Sequence, residues 1–366
     1  MSKRILIRHT EGQREIALVQ ENRLLYLGRE QTGIQAEQIY LAMADRTLPG
    51  MEAMFVKLGK NQPGYLPYSE CSRVPRSGEK LLVQVKKPPV GEKAPYVSAD
   101  LSLAGRFLIL TPMSNRMGVS KKITKEADRV RLLDAAHHLA PKGMGLVMRT
   151  EAASAAEAAL RGEVQSLLAQ WQAILEAVET AAAPCLIRDR EDLLTRLIRD
   201  EHGRIDGIVT DGLQALPPVS LPVQVTERPF DLCSVQTQWD RARQRKIWLD
   251  CGGYLIIDPT EALTVIDVNS GKYTGGKSGT ESTFLKLNLE AAREIARLAR
   301  LRAMGGIIIV DFVDMQEEAN RTQVQSALEE ALRDDPVKTV VHGFTRLGLM
   351  EMTRKKTEQP QGNEAS

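Results

Sequence analysis

Two short apolar runs in the last third of the sequence, residues 263–266 and 307–310, each end at an aspartate. Runs of four β-branched or aliphatic residues bounded by turn residues are typical of buried strands. Between them, residues 280–304 carry apolar side chains at helical spacing and stop at a pair of glycines, which predicts a helix. A strand, a helix and a strand in this order predict a parallel pair joined by a crossover. Asp267 and Asp311 would then lie at the same carboxyl edge of one sheet.

The rest of the chain alternates between strand-like and helical patterns. Residues 1–35 and 36–99 contain short apolar segments separated by Gly, Pro and Asn, which predicts β-structure. Residues 125–139 and 151–180 have amphipathic helical spacing, and the second of these is rich in Ala, Glu and Leu. Residues 195–238 mix helical and strand-like segments. The pattern therefore predicts several α/β and all-β regions.

Composition narrows the class of protein. The chain has 366 residues, of which 43% are hydrophobic and 26% charged, as expected for a soluble protein of two or three domains. It contains no apolar run of about 18 residues, and its first residues lack a signal-peptide pattern. A cytoplasmic location is expected. The net charge of +2 does not indicate nucleic-acid binding, so any such surface must come from local clustering of Lys and Arg.

The paired aspartates suggest a metal site. Mg²⁺ prefers oxygen ligands and is usually held by one or two carboxylates together with substrate phosphates. Asp267 and Asp311 supply such carboxylates, and Asn269 would point to the same side of an extended strand as Asp267. We expect Mg²⁺, with Mn²⁺ as an alternative. The simpler interpretation is that each aspartate is a turn or helix-cap residue, as Asp314 is expected to be.

The cysteines do not suggest a metal site. Cys71, Cys185, Cys233 and Cys251 are isolated, and none forms a Cys-x-x-Cys pair. Neither a disulfide framework nor a structural zinc site is expected, and reduced structural thiols are the simplest interpretation.

Four ordered stretches carry a family resemblance. They lie at residues 252–271, 288–292, 305–312 and 347–354. Together they resemble the catalytic region of the ribonuclease E/G family of bacterial endoribonucleases. The resemblance implies that Asp267, Asn269 and Asp311 are catalytic, that Asp267 and Asp311 bind the metal, and that single-stranded RNA is the substrate. The products would carry 5′-phosphate and 3′-hydroxyl ends.

The same resemblance implies a domain plan. The fold class would be α/β, or more fully α+β with several subdomains. The expected parts are a ribonuclease H-like subdomain (1–35 and 195–238), an inserted S1-type OB-fold (36–99), a 5′-sensor region (100–194), a DNase I-like catalytic domain (239–356) and a disordered tail (357–366).

A phosphate-binding pair is expected in the 5′-sensor region. Residues 143–150 end in Arg149 and Thr150, which resemble the family's sensor for an RNA 5′-monophosphate. Arg offers a planar fork for two phosphate oxygens, and Thr adds a hydroxyl donor. We expect both to lie at the start of helix 151–180, whose N-terminus would add backbone donors. Without the resemblance, they would be a surface ion-pair residue and a helix cap.

Two aromatic residues are expected to bind bases in the OB-fold. Phe55 and Tyr65 match family positions that stack on RNA bases, which contributes about 1–3 kcal/mol per base. The alternative is that one or both rings fill a small barrel core. Residues 39–44 depart from the Gly/Lys-rich strand that the family usually has, which places strong RNA binding by this domain in question.

Several basic residues are candidate RNA contacts. Lys86, Lys87 and Lys93 in the OB-fold are candidates for phosphate contacts, and Arg346 and Arg354 near the end of the matched region are candidates for contacts with the RNA backbone. An ordinary surface role is an equally simple interpretation for each.

The function expected from these features is Mg²⁺-dependent cleavage of single-stranded RNA in RNA processing or decay. One alternative is an RNA-binding protein of the same fold with weak or no cleavage, and another is a phosphoesterase acting on DNA or a small ester. The resemblance allows a homodimer, because it implies that RNA passes between protomers, but the sequence does not determine the oligomeric state. Residues 353–366 contain no cysteine, so the family's zinc link between protomers is not expected.

Overall fold

The computed structural model describes residues 3–10, 13–30, 32–60, 62–201, 204–213, 216–217, 219–271 and 280–356. Its strands are β1 (Lys3–Thr10), β2 (Gln13–Gln20), β3 (Arg23–Arg29), β4 (Ile39–Leu48), β5 (Ala53–Gly59), β6 (Gln62–Pro67), β7 (Lys80–Lys87), β8 (Tyr96–Ser98), β9 (Leu103–Ala104), β10 (Leu108–Thr111), β11 (Gly118–Val119), β12 (Gly145–Met148), β13 (Cys185–Arg188), β14 (Ile205–Thr210), β15 (Val223–Val225), β16 (Lys246–Trp248), β17 (Tyr254–Pro259), β18 (Leu263–Asn269), β19 (Gly306–Asp311), β20 (Thr339–Phe344) and β21 (Met350–Arg354). Its α-helices are α1 (Glu126–Leu139), α2 (Glu157–Thr180), α3 (Leu193–Glu201), α4 (Val235–Ala242), α5 (Thr280–Leu301) and α6 (Glu318–Leu332).

The chain divides into two compact units. The first comprises Met1–Glu30 and Gly203–Ser366, and the second comprises Gln31–His202. The second unit is therefore inserted in the sequence of the first. The predicted tail at 357–366 lies outside the described residues. No helix in the described part of the chain has both the length and the apolar character needed to span a bilayer.

The first unit contains two sheets. The N-terminal sheet has the strand order β15-β14-β1-β2-β3, in which β1 and β14 are parallel although about 200 residues separate them in sequence. The second sheet has the order β16-β17-β18-β19-β21-β20. In the second sheet, β17 and β18 form an antiparallel hairpin, and the predicted crossover through α5 makes β18 and β19 parallel.

Helix α5 covers one face of the second sheet. Alternate residues of the central strands, such as Ile266, Val268 and Val310, are buried against apolar residues of α5. The opposite face remains partly exposed, since Val265 is 37% and Ile307 is 48% exposed. Because side chains alternate between the two faces of a strand, Asp267 and Asp311 lie on the open face of the sheet, together with Val265 and Ile307.

The end of α5 differs from the prediction. Helical structure stops at Leu301, before the glycine pair that was expected to end it. Ala303 takes a left-handed conformation with φ 51°, and Met304 N–H donates to the Ala299 carbonyl at 3.0 Å while Ala303 N–H donates to the Arg300 carbonyl at 3.2 Å. These two bonds form a Schellman cap, so Ala303 takes the position that Gly usually holds.

The second unit contains a closed β-barrel. Its strands follow the order β4-β5-β6-β8-β7, and pairing of β4 with β7 closes the ring. The barrel interior is filled by a cluster that includes Met54, Val56, Leu66, Val83 and Val97. This confirms the expectation of an OB-like barrel within a mixed α/β protein.

The remaining part of the second unit is a small sheet with the order β11-β12-β10-β9, packed against α1 and α2. Helix α2 begins at Glu157, not at residue 151 as predicted, because residues Thr150–Ser154 form a separate 3₁₀ turn. Leu160, Val164 and Trp171 are buried in the core, as the helical spacing predicted.

Candidate functional site

The predicted aspartates are adjacent in the structure. Strands β18 and β19 pair in parallel with Asp267 directly opposite Asp311. Residues opposite one another on neighbouring strands point to the same face and lie about 5 Å apart along the hydrogen-bonding direction. Both aspartates are exposed at the carboxyl end of their strands. The structure therefore places Asp267 and Asp311, here called the acidic dyad, side by side on the open face of the second sheet.

The dyad places two carboxylates of like charge side by side. Partial burial, followed by the nearby negative charges of Asp267 and Asp314, raises the pKa of Asp311 above its usual value. In the described part of the chain, no Lys or Arg forms an ion pair with Asp267 or Asp311. A pair of like charges held in this way is stabilised by a cation or by protonation.

The residues present fit a hard divalent cation. Two carboxylates on one face provide oxygen ligands, which matches the preference of Mg²⁺ for one or two protein carboxylates and additional oxygens from water or phosphate. The described residues contain no group of three or more His, Cys, Asp or Glu side chains placed to hold a metal. The dyad thus resembles the open carboxylate sites of phosphate-handling proteins more closely than a closed structural site.

Asn269 extends the site along β18. Its Nδ2 donates a hydrogen bond to Asp267 Oδ2 at 2.7 Å, which orients the carboxylate and keeps the amide on the dyad face. The neighbouring strand approaches closely at Gly253, where a Cβ atom would lie 2.9 Å from the Asn269 carbonyl and 2.4 Å from Leu287 Cδ1. Gly253 is therefore required for the tight packing that holds Asn269 in place.

Helix α5 fixes the loop after Asp311. Asn288 is fully buried, and its Nδ2 donates to the Val313 carbonyl at 2.8 Å while its Oδ1 accepts from Val313 N–H at 3.1 Å. This two-bond clamp holds the backbone two residues beyond Asp311. The sequence did not assign this role to Asn288. The available signal was a polar residue placed between Leu285, Leu289 and Ala292 on the apolar face of a helix.

Two glutamates of α5 secure other loops of the same sheet. Glu281 accepts from Gln316 N–H, Glu317 N–H and Asn320 Nδ2, and these bonds lower the pKa of the Glu281 carboxyl. Glu290 accepts from the backbone of residues 250 and 251, in the turn between β16 and β17. One helix therefore anchors loops on both sides of the dyad.

Arg149 and Thr150 lie close together at the end of β12. The Arg149 guanidinium donates from Nη2 to Asp200 Oδ1 at 3.0 Å and from Nη1 to the Gly105 carbonyl. Thr150 is exposed, and its hydroxyl lies 3.1 Å from Ser120 Oγ. The expectation that these residues lie at the start of α2 was wrong, because α2 begins seven residues after Thr150. No long-helix dipole therefore supports an anion at this position.

The predicted aromatic pair of the barrel lies outside its core. Phe55 and Tyr65 are half-buried and are not part of the cluster that fills the barrel. Their ring centroids are 6.4 Å apart, and a third ring, Tyr96, lies 6.1 Å from Tyr65. Arg46 lies over Phe55 at one end, and Lys87 lies over Tyr96 at the other. Because the rings are on adjacent strands, they form a continuous aromatic row between two cations.

Tyr96 was not predicted as a site residue. Its hydroxyl donates to Glu70 Oε1 at 2.9 Å, and burial together with this hydrogen bond raises the pKa of Tyr96 to about 12. The phenol therefore stays neutral, and its ring is held in the row. The signal available in the sequence was an aromatic residue beside the basic segment 86–87.

A cleft of about 540 Å³ lies beside this row within the second unit. Its lining includes Lys86, Lys87, Tyr96 and Arg116. Lys86 was expected to contact RNA from an exposed position. Instead its ammonium donates to Gln84 Oε1 at 2.6 Å and to Ser102 Oγ at 3.1 Å, and burial lowers its pKa. Lys86 therefore forms part of the cleft wall.

The other predicted basic contacts fall into two groups. Lys93 and Arg346 are exposed, and Arg346 lies in the turn between β20 and β21. Arg354 is only 3% exposed and forms a two-bond ion pair with Asp335 at 2.7 and 3.1 Å, with a third bond to the Met304 carbonyl. The expected RNA contact of Arg354 was wrong, because its guanidinium is fully used inside the protein.

Comparison with known proteins identifies the family of this chain. The family model described as "Ribonuclease E/G family" matches residues 102–357. Ribonuclease G of Escherichia coli (strain K12) is 34% identical over 396 aligned positions, which cover 98% of this chain and 81% of that protein. Ribonuclease E of Nostoc sp. is 36% identical over 357 positions, which cover 89% of this chain and 52% of that protein. The residues matched by the family model include the dyad. The chain therefore belongs to the ribonuclease E/G family.

Proposed function

We propose that this protein is a divalent-cation-dependent endoribonuclease that cuts single-stranded RNA in RNA processing or decay. The observation that carries the proposal is the in-register pairing of Asp267 with Asp311 on an open sheet face without a neighbouring cation among the described residues. The relatives are named ribonuclease G and ribonuclease E, which supports RNA as the substrate.

The proposed reaction is hydrolysis. A bond forms between a water oxygen and phosphorus, and the bond from phosphorus to the 3′-oxygen breaks. The water loses a proton, and the departing oxygen gains one, which leaves 5′-phosphate and 3′-hydroxyl ends. A divalent cation bound at the dyad supplies Lewis-acid stabilisation of the phosphate and promotes ionisation of water.

Residues of the chain would bind the cation, orient the phosphate or the water, and hold the loop after Asp311. Asp267 and Asp311 provide the ligand oxygens, and their fixed register sets the spacing of those oxygens. Asn269 holds Asp267 through one N–H, and its remaining polar atoms can orient the phosphate or the attacking water. Asn288 keeps the segment after Asp311 in place, which makes it a positioning residue. Such preorganisation lowers the barrier because no reorganisation is needed during the reaction.

We further propose that the second unit binds RNA at two places. The row of Phe55, Tyr65 and Tyr96 provides stacking surfaces, and Lys93 with Lys87 provides cations for the backbone. Arg149 and Thr150 are proposed to bind a 5′-phosphate. For this to occur, the phosphate must share the Arg149 guanidinium with Asp200 or displace that carboxylate. Arg346 in the first unit is a further proposed backbone contact.

The test uses a 5′-monophosphorylated, fluorescent single-stranded RNA with Mg²⁺, with Mn²⁺ or with a chelator. Cleavage is expected only with a divalent cation. Asp267→Asn and Asp311→Asn should each reduce the rate by at least ~100-fold, the effect of removing a main electrostatic stabiliser. Asp206→Asn is the matched control, because Asp206 is an exposed strand carboxylate of the same unit.

Two results would contradict the proposal. Near-normal cleavage by either dyad variant would remove the metal-site assignment. Equal cleavage of an all-deoxy copy would show that RNA is not the preferred substrate. RNA binding without cleavage in every cation would favour an RNA-binding protein of the same fold.

A further inference from the structure

An aromatic pair, with one ring exposed and the other half-buried, lies on the same sheet face as the acidic dyad. Trp248 on β16 is 63% exposed, and it pairs in register with Tyr254 on β17. Their ring centroids are 5.2 Å apart with an interplanar angle of 62°. Neither ring is needed to fill the core, which lies on the opposite face. A Trp this exposed leaves ring surface available to a ligand.

A lysine is placed over both rings. Lys246 Nζ lies 4.2 Å from the Trp248 centroid and 3.7 Å from the Tyr254 centroid. In the part of the chain that the structure describes, no carboxylate forms an ion pair with Lys246. Its three N–H donors are thus available to an anion while its charge remains held by the rings.

The register connects this cluster to the dyad. Tyr254 is directly opposite Asn269, and Ile256 lies between Lys246 and Asp267 in one row across three strands. At one strand spacing of about 5 Å, the tyrosine is one strand from Asn269 and the lysine about 10 Å from Asp267. A short stretch of extended single-stranded RNA spans this distance.

The segment leading to the cluster is basic. Arg241, Arg243 and Arg245 alternate with other residues immediately before Lys246, and Arg241 and Arg243 are exposed. Arg245 is neutralised by Asp258, with bonds of 2.5 and 2.7 Å. Cations beside an exposed aromatic pair are typical of surfaces that bind single-stranded nucleic acid, since bases stack on rings while the cations meet phosphates.

The tyrosine ring lies close to the turn that follows Asn269. Gly271 has a φ of 60°, and a Cβ atom built at this position would lie 3.5 Å from both Cδ1 and Cε1 of Tyr254. A side chain at this position would therefore lie against the ring. Glycine leaves that part of the ring uncovered.

We propose that Trp248, Tyr254 and Lys246 form a subsite that stacks one base of the RNA beside the scissile phosphate and binds a neighbouring phosphate. The subsite rests on the proposed ribonuclease function and deepens it, because it names a specificity surface next to the dyad. Its occupant is a single-stranded nucleotide. Val265 and Ile307 on the same face are also exposed, so this surface could instead bind a second copy of the chain. Self-association through this surface would refute the proposed subsite.

The test combines protein variants with RNA that lacks one base. A short single-stranded RNA with a mapped cleavage site is made with an abasic nucleotide at each position in turn, and its binding is measured with Ca²⁺ or chelator to prevent turnover. For the unaltered protein, one abasic position next to the cleavage site should weaken binding about 5- to 100-fold. Trp248→Ala should weaken binding of the intact RNA similarly, with no further loss from the same abasic position.

Charge is tested separately. Lys246→Gln should reduce the slope of log Kd against log salt by ~0.7, the change expected for one phosphate contact with single-stranded nucleic acid. Val340→Ala is the matched control, since Val340 is a 39% exposed apolar residue at the far edge of the same sheet. It should bind and cleave like the unaltered protein.

The outcomes separate the two proposals. If the unaltered protein neither binds nor cuts RNA, the proposed function fails and the subsite fails with it. If the unaltered protein cuts RNA but Trp248→Ala retains full affinity and the same abasic penalty, the subsite alone is refuted. Loss of an oligomer in Trp248→Ala, seen by light scattering with unchanged RNA affinity per protomer, would also refute it and assign the surface to self-association.

Discussion

The clamp from Asn288 to Val313 allows a sharp test of how the dyad is positioned. We consider Asn288→Leu, which keeps the number and branching of the side-chain heavy atoms but removes both hydrogen bonds to the Val313 backbone. Because Asn288 is fully buried, the larger leucine side chain must fit into the core. The substitution therefore removes the polar clamp, and its effect on packing is measured separately as a loss of stability.

The magnitude follows from the two lost bonds. Each hydrogen bond contributes about 0.5–1.5 kcal/mol net, and a backbone group left unpaired away from water costs about 1–3 kcal/mol. The expected loss of unfolding free energy is therefore about 2–4 kcal/mol. The segment that follows Asp311 loses its fixed position, and a small misplacement of a catalytic group can reduce a rate by ~100-fold. We expect kcat to fall ~10- to 100-fold while KM changes little.

Activity and stability must be measured together. Urea unfolding gives the stability loss, and single-stranded RNA cleavage at a temperature well below unfolding gives kcat, KM and the Mg²⁺ concentration for half-maximal rate. Leu328→Ala is the control, because Leu328 is fully buried in the same core on α6 and its truncation costs about 2–5 kcal/mol without touching the loop. If Asn288→Leu lowers kcat no more than Leu328→Ala, the positioning argument is refuted.

Three further predictions concern other parts of the chain. Arg149→Ala should remove most of the preference for 5′-monophosphorylated over 5′-hydroxyl RNA, whereas Asp200→Asn, which frees the guanidinium, should retain it; equal loss on both substrates would indicate a folding defect. In chelator at neutral pH, Asp311→Asn should raise Tm, because the folded-state pKa of Asp311 is raised and its ionised form destabilises the native state. This gain should disappear as pH falls through that pKa, and a lower Tm at neutral pH would contradict it. Any oligomer should keep its mass by light scattering when a strong zinc chelator is added; loss of mass together with stoichiometric zinc would contradict this.

The sequence predicted the sheet that carries the acidic dyad well, for a physical reason. The apolar runs that end at Asp267 and Asp311 identify two strands from their own residues alone. The segment between the two runs has helical spacing and is long enough to connect parallel strands. Right-handed crossover geometry then leaves little choice of topology. Local pattern and global arrangement agree here, so the pairing of the two aspartates could be predicted before their structure was known.

Residues whose roles depend on distant partners could not be predicted in this way. Arg354 has the sequence context of a surface cation. In the structure it is buried and paired with Asp335, which lies 19 residues earlier in the sequence. Tyr96 joins the aromatic row only because β8 pairs in parallel with β6, which places it beside Tyr65. Ala303 ends α5 in a conformation that usually favours Gly, so the glycine pair that follows was a misleading stop signal.

Helix α5 both positions the dyad and stabilises the loops around it. Two neighbouring carboxylates without a cation destabilise the folded sheet edge, and their mutual repulsion would favour loops that move apart. Asn288, Glu281 and Glu290 on α5 oppose this movement by accepting or donating hydrogen bonds to the loops around the dyad. Because the same helix forms the crossover that sets the strand register, one element both brings the aspartates together and keeps them together. Loosening α5 should therefore reduce catalysis before it unfolds the protein.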